Sequence, residues 1–300
     1  WSNGTTTDFQ RPAKYGDRLA LTEEEASSEQ GAAEQYRVAG DVQTDPDAGA
    51  PEDKNTNLGY NRFWTDPGTQ VMRVGGEPRS SMITYPANGR VPPRKASAPP
   101  LPERARREVL DESNPMAGPR DNPEERGLSE RCIFFPTAAA PVMRPSLYNN
   151  NYRIAQGEDS VAIWIEMTIE QKIVRLNAEH RNDGVRQWGG DSIGWYEGDK
   201  LVVETRNLHP DQRGYISDEG YVIEKFSRWN EDQILYEFEV VDPTMYSQPW
   251  KGEMAWNRSI EPPHEYACHE GNYSFAGILA GARELERQGR LVPINADEEG

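Results

Sequence analysis

From Tyr152 to about Arg258 the chain alternates apolar and polar residues with a period of two, and short polar or glycine-containing intervals interrupt the pattern. The runs 152–156, 161–167, 172–176, 192–196, 201–205, 222–229, 234–240 and 251–256 all read as strands with one face turned inward. Glu197-Gly198-Asp199-Lys200 and the 230–233 interval are short enough to be hairpin turns. Strands joined in this way predict a mainly β fold, an antiparallel meander. With seven or eight strands, curling into a barrel or a strongly curved sheet removes exposed edges. Ile163, Ile165, Val202, Phe226, Leu235 and Phe238 are the expected core positions.

The flanking regions follow other patterns. Thr22-Glu23-Glu24-Glu25 reads as a helix N-cap with an acidic first turn, predicting a helix to about Val38. The 40–57 stretch is rich in Asp, Pro, Gly and Ala, as in a linker or surface wrap. Tyr60, Phe63 and Trp64 form an aromatic knot, 71–74 and 81–85 read as short strands, and 104–112 reads as a charged helix. Near the C-terminus Phe275, Ile278, Leu279, Ala282 and Leu285 recur at helical steps after a cap at Asn272 or Ser274. The expected organisation is an N-terminal extension with a short helix (1–57), one β-rich domain ending in a helix (58–290) and an acidic tail (291–300).

Charge narrows the function classes. With 33 basic and 50 acidic side chains the formal net charge is −17, which disfavours nucleic acid and anionic lipid as partners. No apolar run reaches the roughly 18 residues of a membrane span. The chain begins with Trp1 and carries no signal-peptide pattern, consistent with an exported protein whose signal has been removed, or with a trimmed chain. Cys132 and Cys268 lie in no metal or redox spacing. Two buried thiols are one reading. In an oxidising compartment a long-range disulfide is the better one, and pairing is the expectation.

The densest chemistry is 262–273, which holds His264, Glu265, Tyr266, Cys268, His269, Glu270 and Tyr273. The spacing matches no zinc pattern, and on a strand the two histidines would point apart, so no metal or cofactor is expected. His269 suits proton transfer near neutrality, with Glu265 or Glu270 orienting it and Tyr273 or Tyr266 donating to a developing anion. The bland alternative is a structural histidine with glutamates at a helix start. The second constellation is Arg186-Gln187-Trp188-Gly189-Gly190-Asp191-Ser192, in which Arg186 would clamp a carboxylate and Trp188 would stack. Its alternative is Asp191 paired with Arg186 while Trp188 fills the core. Asn150, in the Tyr148–Asn151 run, is either part of an ordered turn or a polar lip beside a ligand.

Taken together, Glu130-Arg131-Cys132, the Tyr148–Asn151 run, Arg186-x-Trp188-x-Gly190-Asp191-Ser192, Trp195-Tyr196-Glu197-Gly198-Asp199 and Glu265 to Tyr273 resemble a family of uncharacterised exported bacterial proteins. The resemblance spans roughly residues 58 to 285. It implies a periplasmic or extracellular location and carries no established activity.

The expected function is binding of a small organic molecule in the concavity of the sheet, with metal-independent acid–base chemistry of the lyase or hydrolase kind. His269, Glu270, Glu265 and Tyr273 would be the catalytic groups, and Arg186, Trp188, Asp191, Asn150 and Tyr266 the ligand contacts. The alternative is a non-catalytic binding or assembly subunit of an extracellular structure. Either reading is compatible with a homo-oligomer.

Overall fold

A computed structural model describes residues 1–40, 65, 67–99, 122–135, 138–139, 141–167, 171–210, 216–260 and 262–289. The expected aromatic knot, the 104–112 helix, the body of the 40–57 linker and the acidic tail lie outside these residues.

Helix α1 spans Glu23–Gly40, and strands β1 (Arg73–Val74) and β2 (Glu77–Pro78) form a small ribbon. Strands β3 (Ile83–Tyr85), β4 (Tyr152–Gln156), β5 (Ser160–Ile165), β6 (Lys172–Leu176), β7 (Asp191–Glu197), β8 (Lys200–Arg206), β9 (Tyr221–Asn230), β10 (Gln233–Val241) and β11 (Trp250–Asn257) form one nine-stranded sheet. Two helices close the chain, α2 (Cys268–Gly271) and α3 (Tyr273–Arg287). The sheet order is β3-β11-β10-β9-β8-β7-β6-β5-β4, a meander curled into a half-barrel. Mainly β architecture with a C-terminal helix is what the period-two pattern predicts.

Two details depart from that pattern. Strand β6 pairs with β7 in parallel, whereas every other neighbour pair is antiparallel. A parallel pair cannot be joined by a tight turn, so a long crossover, residues 177–190, is required. Among the expected core positions Ile163, Ile165, Val202, Phe226 and Phe238 are buried, but Leu235 is only half-buried. The inward phase of β10 is Ile234, Tyr236, Phe238 and Val240, which leaves Leu235 on the other face.

The inner face is filled by the chain itself. Leu128, Phe134, Phe135, Ala138, Ala139, Val142 and Met143 belong to the same buried cluster as inward apolar residues of β4 to β6 and β8 to β11. These described residues, between Leu128 and Met143, thus act as a plug. Beside it runs an aromatic file in which Tyr152 stacks on Trp256 at 4.2 Å, Trp256 meets Tyr236 at 5.2 Å, and Phe238 meets Trp250 at 5.8 Å. Gly252 sits opposite Phe238, and a Cβ there would lie 2.3 Å from the Phe238 ring, so glycine is what lets the ring lie over β11.

The N-terminal extension is woven into this core. Ser2 bridges Asn151 on one side and Asn257 on the other, with main-chain bonds of 2.7 and 2.8 Å to Asn257 and a Tyr152-to-Trp1 bond of 2.7 Å. One end of β4 is thereby joined to one end of β11. Asn3 is buried and donates to Met143 O at 3.0 Å and to Tyr152 Oη at 3.2 Å. Arg11 is buried among Ser81, Ile83 and Ala87, and Phe9 packs on Phe238 and Trp250. Helix α1 opens with a reciprocal capping box, Glu25 N to Thr22 Oγ1 and Thr22 N to Glu25 Oε2.

Candidate functional site

Five consecutive strands each turn one polar side chain into the half-barrel: Lys172 on β6, Ser192 on β7, Thr205 on β8, Glu224 on β9 and Tyr236 on β10. All five are buried, and Thr205, Glu224 and Tyr236 are fully so. The cross-strand register puts Ser192 opposite Thr205, and the remaining neighbours are diagonal. Lys172 Nζ forms an ion pair with Glu224 Oε2 and donates to Thr205 Oγ1 at 3.0 Å. Thr205 Oγ1 lies 2.8 Å from Ser192 Oγ and 3.4 Å from Glu224 Oε2. The Tyr236 hydroxyl donates to Glu224 Oε1 at 2.7 Å, stands 3.1 Å from Pro141 O in the plug, and accepts from Met143 N at 3.3 Å. Burial pushes the Glu224 carboxyl up from its ordinary value, against the opposing pull of Lys172 and of the Tyr236 and Thr205 hydroxyls.

This seam was legible in part. Glu224 occupies the apolar phase between Val222 and Phe226, and Lys172 shares a phase with Val174. A charge of each sign in the inward phase of two strands is a signal of compensated burial. Period-two reading alone does not show that strands three apart in the sheet bring them together.

At the plug's edge the seam opens into a space of about 150 Å³, lined by Phe134, Ala139, Ile165, Gln171, Lys172, Ile173, Gln187, Gly189, Gly190 and Ser192. The Arg186–Ser192 motif therefore contributes to a pocket, but through Gln187, Gly189, Gly190 and Ser192. Arg186 instead donates to Leu208 O at 3.3 Å and Asp218 O at 2.7 Å, and pairs with Glu219. Trp188 stacks on His209 at 3.9 Å. Gly190 has φ 77°, and a Cβ there would lie 2.7 Å from Arg206 O, so only glycine brings the crossover this close to β8.

Asp191 faces away from the seam, since successive residues of a strand alternate faces. Its carboxylate accepts from His180 Nδ1 (2.9 Å), Arg181 N (2.9 Å) and Arg175 Nη2 (2.9 and 3.0 Å), and does not pair with Arg186. His180 Nε2 lies 3.1 Å from Glu204 Oε1, which also accepts from Arg206 Nε. Carboxylate oxygens only accept, so both His180 contacts are hydrogen bonds only when each ring nitrogen carries a proton. Burial pushes the Asp191 and Glu204 carboxyls up. The Arg181 amide, His180 and Arg175 on Asp191, and Arg206 and His180 on Glu204, outweigh it, so both stand below their ordinary values. This clasp fastens the crossover to β7 and β8.

The 262–273 stretch is held to the plug. Cys132 and Cys268 are bonded, as expected, with Cα atoms 5.7 Å apart. Glu166, buried at the end of β5, accepts from His264 N at 2.9 Å and from the main-chain and side-chain amides of Asn151. Asn272 Nδ2 donates to Glu130 O at 2.7 Å, and Tyr266 meets Phe135 edge-on at 5.0 Å. Within this frame Glu265, His269, Glu270 and Tyr273 are exposed, Tyr273 by 85%. Of the expected contacts here, Tyr266 lines an open space of about 370 Å³ beside the disulfide, which Phe275 and Ile278 of α3 also border. Asn150 is buried and spent on a turn, accepting from Ser146 N at 2.7 Å and donating to Ser146 O at 2.9 Å. The structure thus places the expected catalytic group on the 262–273 latch, and Arg186, Trp188 and Asp191 on the crossover and its clasp. Among the described residues no group of three His, Cys, Asp or Glu side chains is arranged as metal ligands, and no helix is long and apolar enough to cross a membrane.

Comparison of the chain with protein-family models, with curated proteins and with solved structures finds no match to any of them.

Proposed function

We propose that this is an exported protein that binds a small polar molecule at the edge of its plugged half-barrel, against Ser192, Lys172 and Gln171. The observation that carries the reading is the buried seam, which meets fillable space where Lys172 and Ser192 line the 150 Å³ pocket. A few placed polar groups against apolar walls, here Phe134, Ala139, Ile165 and Ile173, are the usual make-up of a small-ligand pocket. The Cys132–Cys268 bridge supports an oxidising, periplasmic or extracellular compartment, in keeping with the resemblance to exported bacterial proteins. The test is a ligand-observed NMR screen of small polar compounds against the wild type, Ser192→Ala and Lys172→Met. Compounds should bind the wild type and lose at least tenfold in affinity in both variants. An empty screen, or hits that ignore both substitutions, would end the proposal.

A second reading, metal-independent acid–base chemistry, is favoured by one feature. The Ser192 hydroxyl is linked through Thr205 to Glu224, whose carboxyl burial pushes up, so a proton can pass between the pocket and a buried acid. Thr205→Val would break that link. Turnover of a bound compound should then fall about 10²-fold or more with binding retained. Unchanged turnover would leave binding alone.

A further inference from the structure

We infer that the Cys132–Cys268 bridge is a thiol–disulfide exchange site, opened in the folded protein by a dithiol that attacks Cys268, and that its reduction frees residues 262–287. The inference stands apart from the binding reading and rests on the surroundings of the two sulfurs.

The cysteines differ in access. Cys132 is 1% exposed, whereas Cys268 is half-buried and lines the open space of about 370 Å³ beside the bridge, with Tyr266, Phe275 and Ile278 among its walls. Exchange begins when a thiolate reaches one sulfur of the bond, so access selects Cys268 as the residue attacked.

Cys132 is then the leaving group, and it has a donor waiting. Asn272 Nδ2 carries two protons, one given to Glu130 O at 2.7 Å and the other to Cys132 Sγ at 3.4 Å. A hydrogen bond to a sulfur that gains negative charge favours the charged form, and a stabilised thiolate leaves faster.

The step balances as follows. One thiolate of the dithiol bonds to Cys268 Sγ, the Cys132–Cys268 bond breaks, and its electron pair departs on Cys132 Sγ. The second thiolate attacks the first sulfur, closing the dithiol into a disulfide and releasing Cys268. Two electrons pass to the protein, and the two protons of the dithiol end on Cys132 and Cys268.

Reduction cuts the covalent tie between the plug and the segment leading into α3. The described contacts that still hold this segment include His264 N on Glu166, Asn272 on Glu130 O and the edge-on Tyr266–Phe135 pair. Within α3 only Ala282 is buried, so the helix adds little anchoring of its own.

The experiment exposes the oxidised full chain to increasing dithiothreitol in native buffer, traps thiols with iodoacetamide and maps them by mass. A parallel arm uses glutathione, a monothiol, to capture the mixed disulfide. Reduction should rise in proportion to dithiothreitol, without the steep acceleration in sub-denaturing urea that global unfolding brings. Glutathione should be found on Cys268, and Asn272→Leu should slow reduction about threefold. In the reduced protein hydrogen exchange should quicken across 262–287 while β8 to β10 keep their protection. Glutathione on Cys132, a rate that climbs with urea as unfolding does, or a rate that Asn272→Leu leaves unchanged or raises would overturn the exchange site. Unaltered hydrogen exchange across 262–287 would overturn the release.

Discussion

Lys172 and Glu224 set the energetics of the interior. Removing one partner of a buried pair strands the other, and that typically costs about 3–5 kcal/mol, while replacing both with apolar side chains is often neutral. Denaturant unfolding near pH 7 should show losses of that order for Lys172→Met and for Glu224→Leu. The Lys172→Met/Glu224→Leu double variant should recover most of it, because Tyr236 keeps Pro141 O within reach and Thr205 keeps Ser192. The Lys172→Met loss should also depend on pH. With the cation gone the Glu224 carboxyl rises further, so the variant gives up stability as pH climbs through the folded value and regains it on acidification, when the carboxyl enters the core neutral. Single variants within 1 kcal/mol of the wild type would mean that the pair is not dehydrated in solution.

The element that matters most is the 177–190 crossover, which exists because β6 and β7 are parallel. It carries Gln187, Gly189 and Gly190 to the pocket and is fastened by His180 between Asp191 and Glu204. Both carboxyls stand below their ordinary values, so their contribution is present above the unfolded-state values, near 4, and is lost as pH falls through the lower folded values. The acid transition therefore belongs to the two carboxylates. Amide hydrogen exchange across 177–190 should be slow at pH 6 and accelerate, beyond the intrinsic pH effect, below about pH 4. His180→Phe should move that onset to higher pH by removing a donor from each carboxylate. An onset that His180→Phe leaves in place would show that the arginines alone hold the crossover.

At the scale of the whole molecule the half-barrel is held shut by short pieces distant in sequence. Residues 1–3 join the ends of β4 and β11, the buried side chains from Leu128 to Phe135, of Ala138 and Ala139, and of Val142 and Met143 fill the interior, and the Cys132–Cys268 bond ties that filling to the segment leading into α3. Asn3 touches two of these parts at once through Met143 O and Tyr152 Oη. Asn3→Ala leaves buried acceptors without a donor, so global unfolding should be easier by about 1–3 kcal/mol. A loss confined to local exchange at the N-terminus, with the unfolding midpoint unchanged, would show that residues 1–3 only lie on the sheet.

Features that depend on neighbours a few residues apart were legible in the order of residues. Period-two alternation gave every long strand of 152–257, the Thr22 cap gave the start of α1, and apolar steps from Phe275 to Leu285 gave α3. The Cys132–Cys268 bridge followed from having only two cysteines and an argued compartment. Features that depend on contacts between distant segments emerge only once the chain is folded. Alternation says that Ser192 and Asp191 face opposite sides, but not which side is inside, so the pattern draws the eye to Arg186, Trp188 and Asp191 while the pocket is lined by Gln187, Gly189, Gly190 and Ser192. Polar density marks 262–273, which a disulfide, Glu166 and Asn272 hold as a latch with Glu265, His269, Glu270 and Tyr273 in solvent. The interior seam was spread over five strands, one residue on each, and no local window could collect it. Curling the sheet around the plug gathers Lys172, Ser192, Thr205, Glu224 and Tyr236, because removing their strands from water requires buried charges and hydroxyls to find one another.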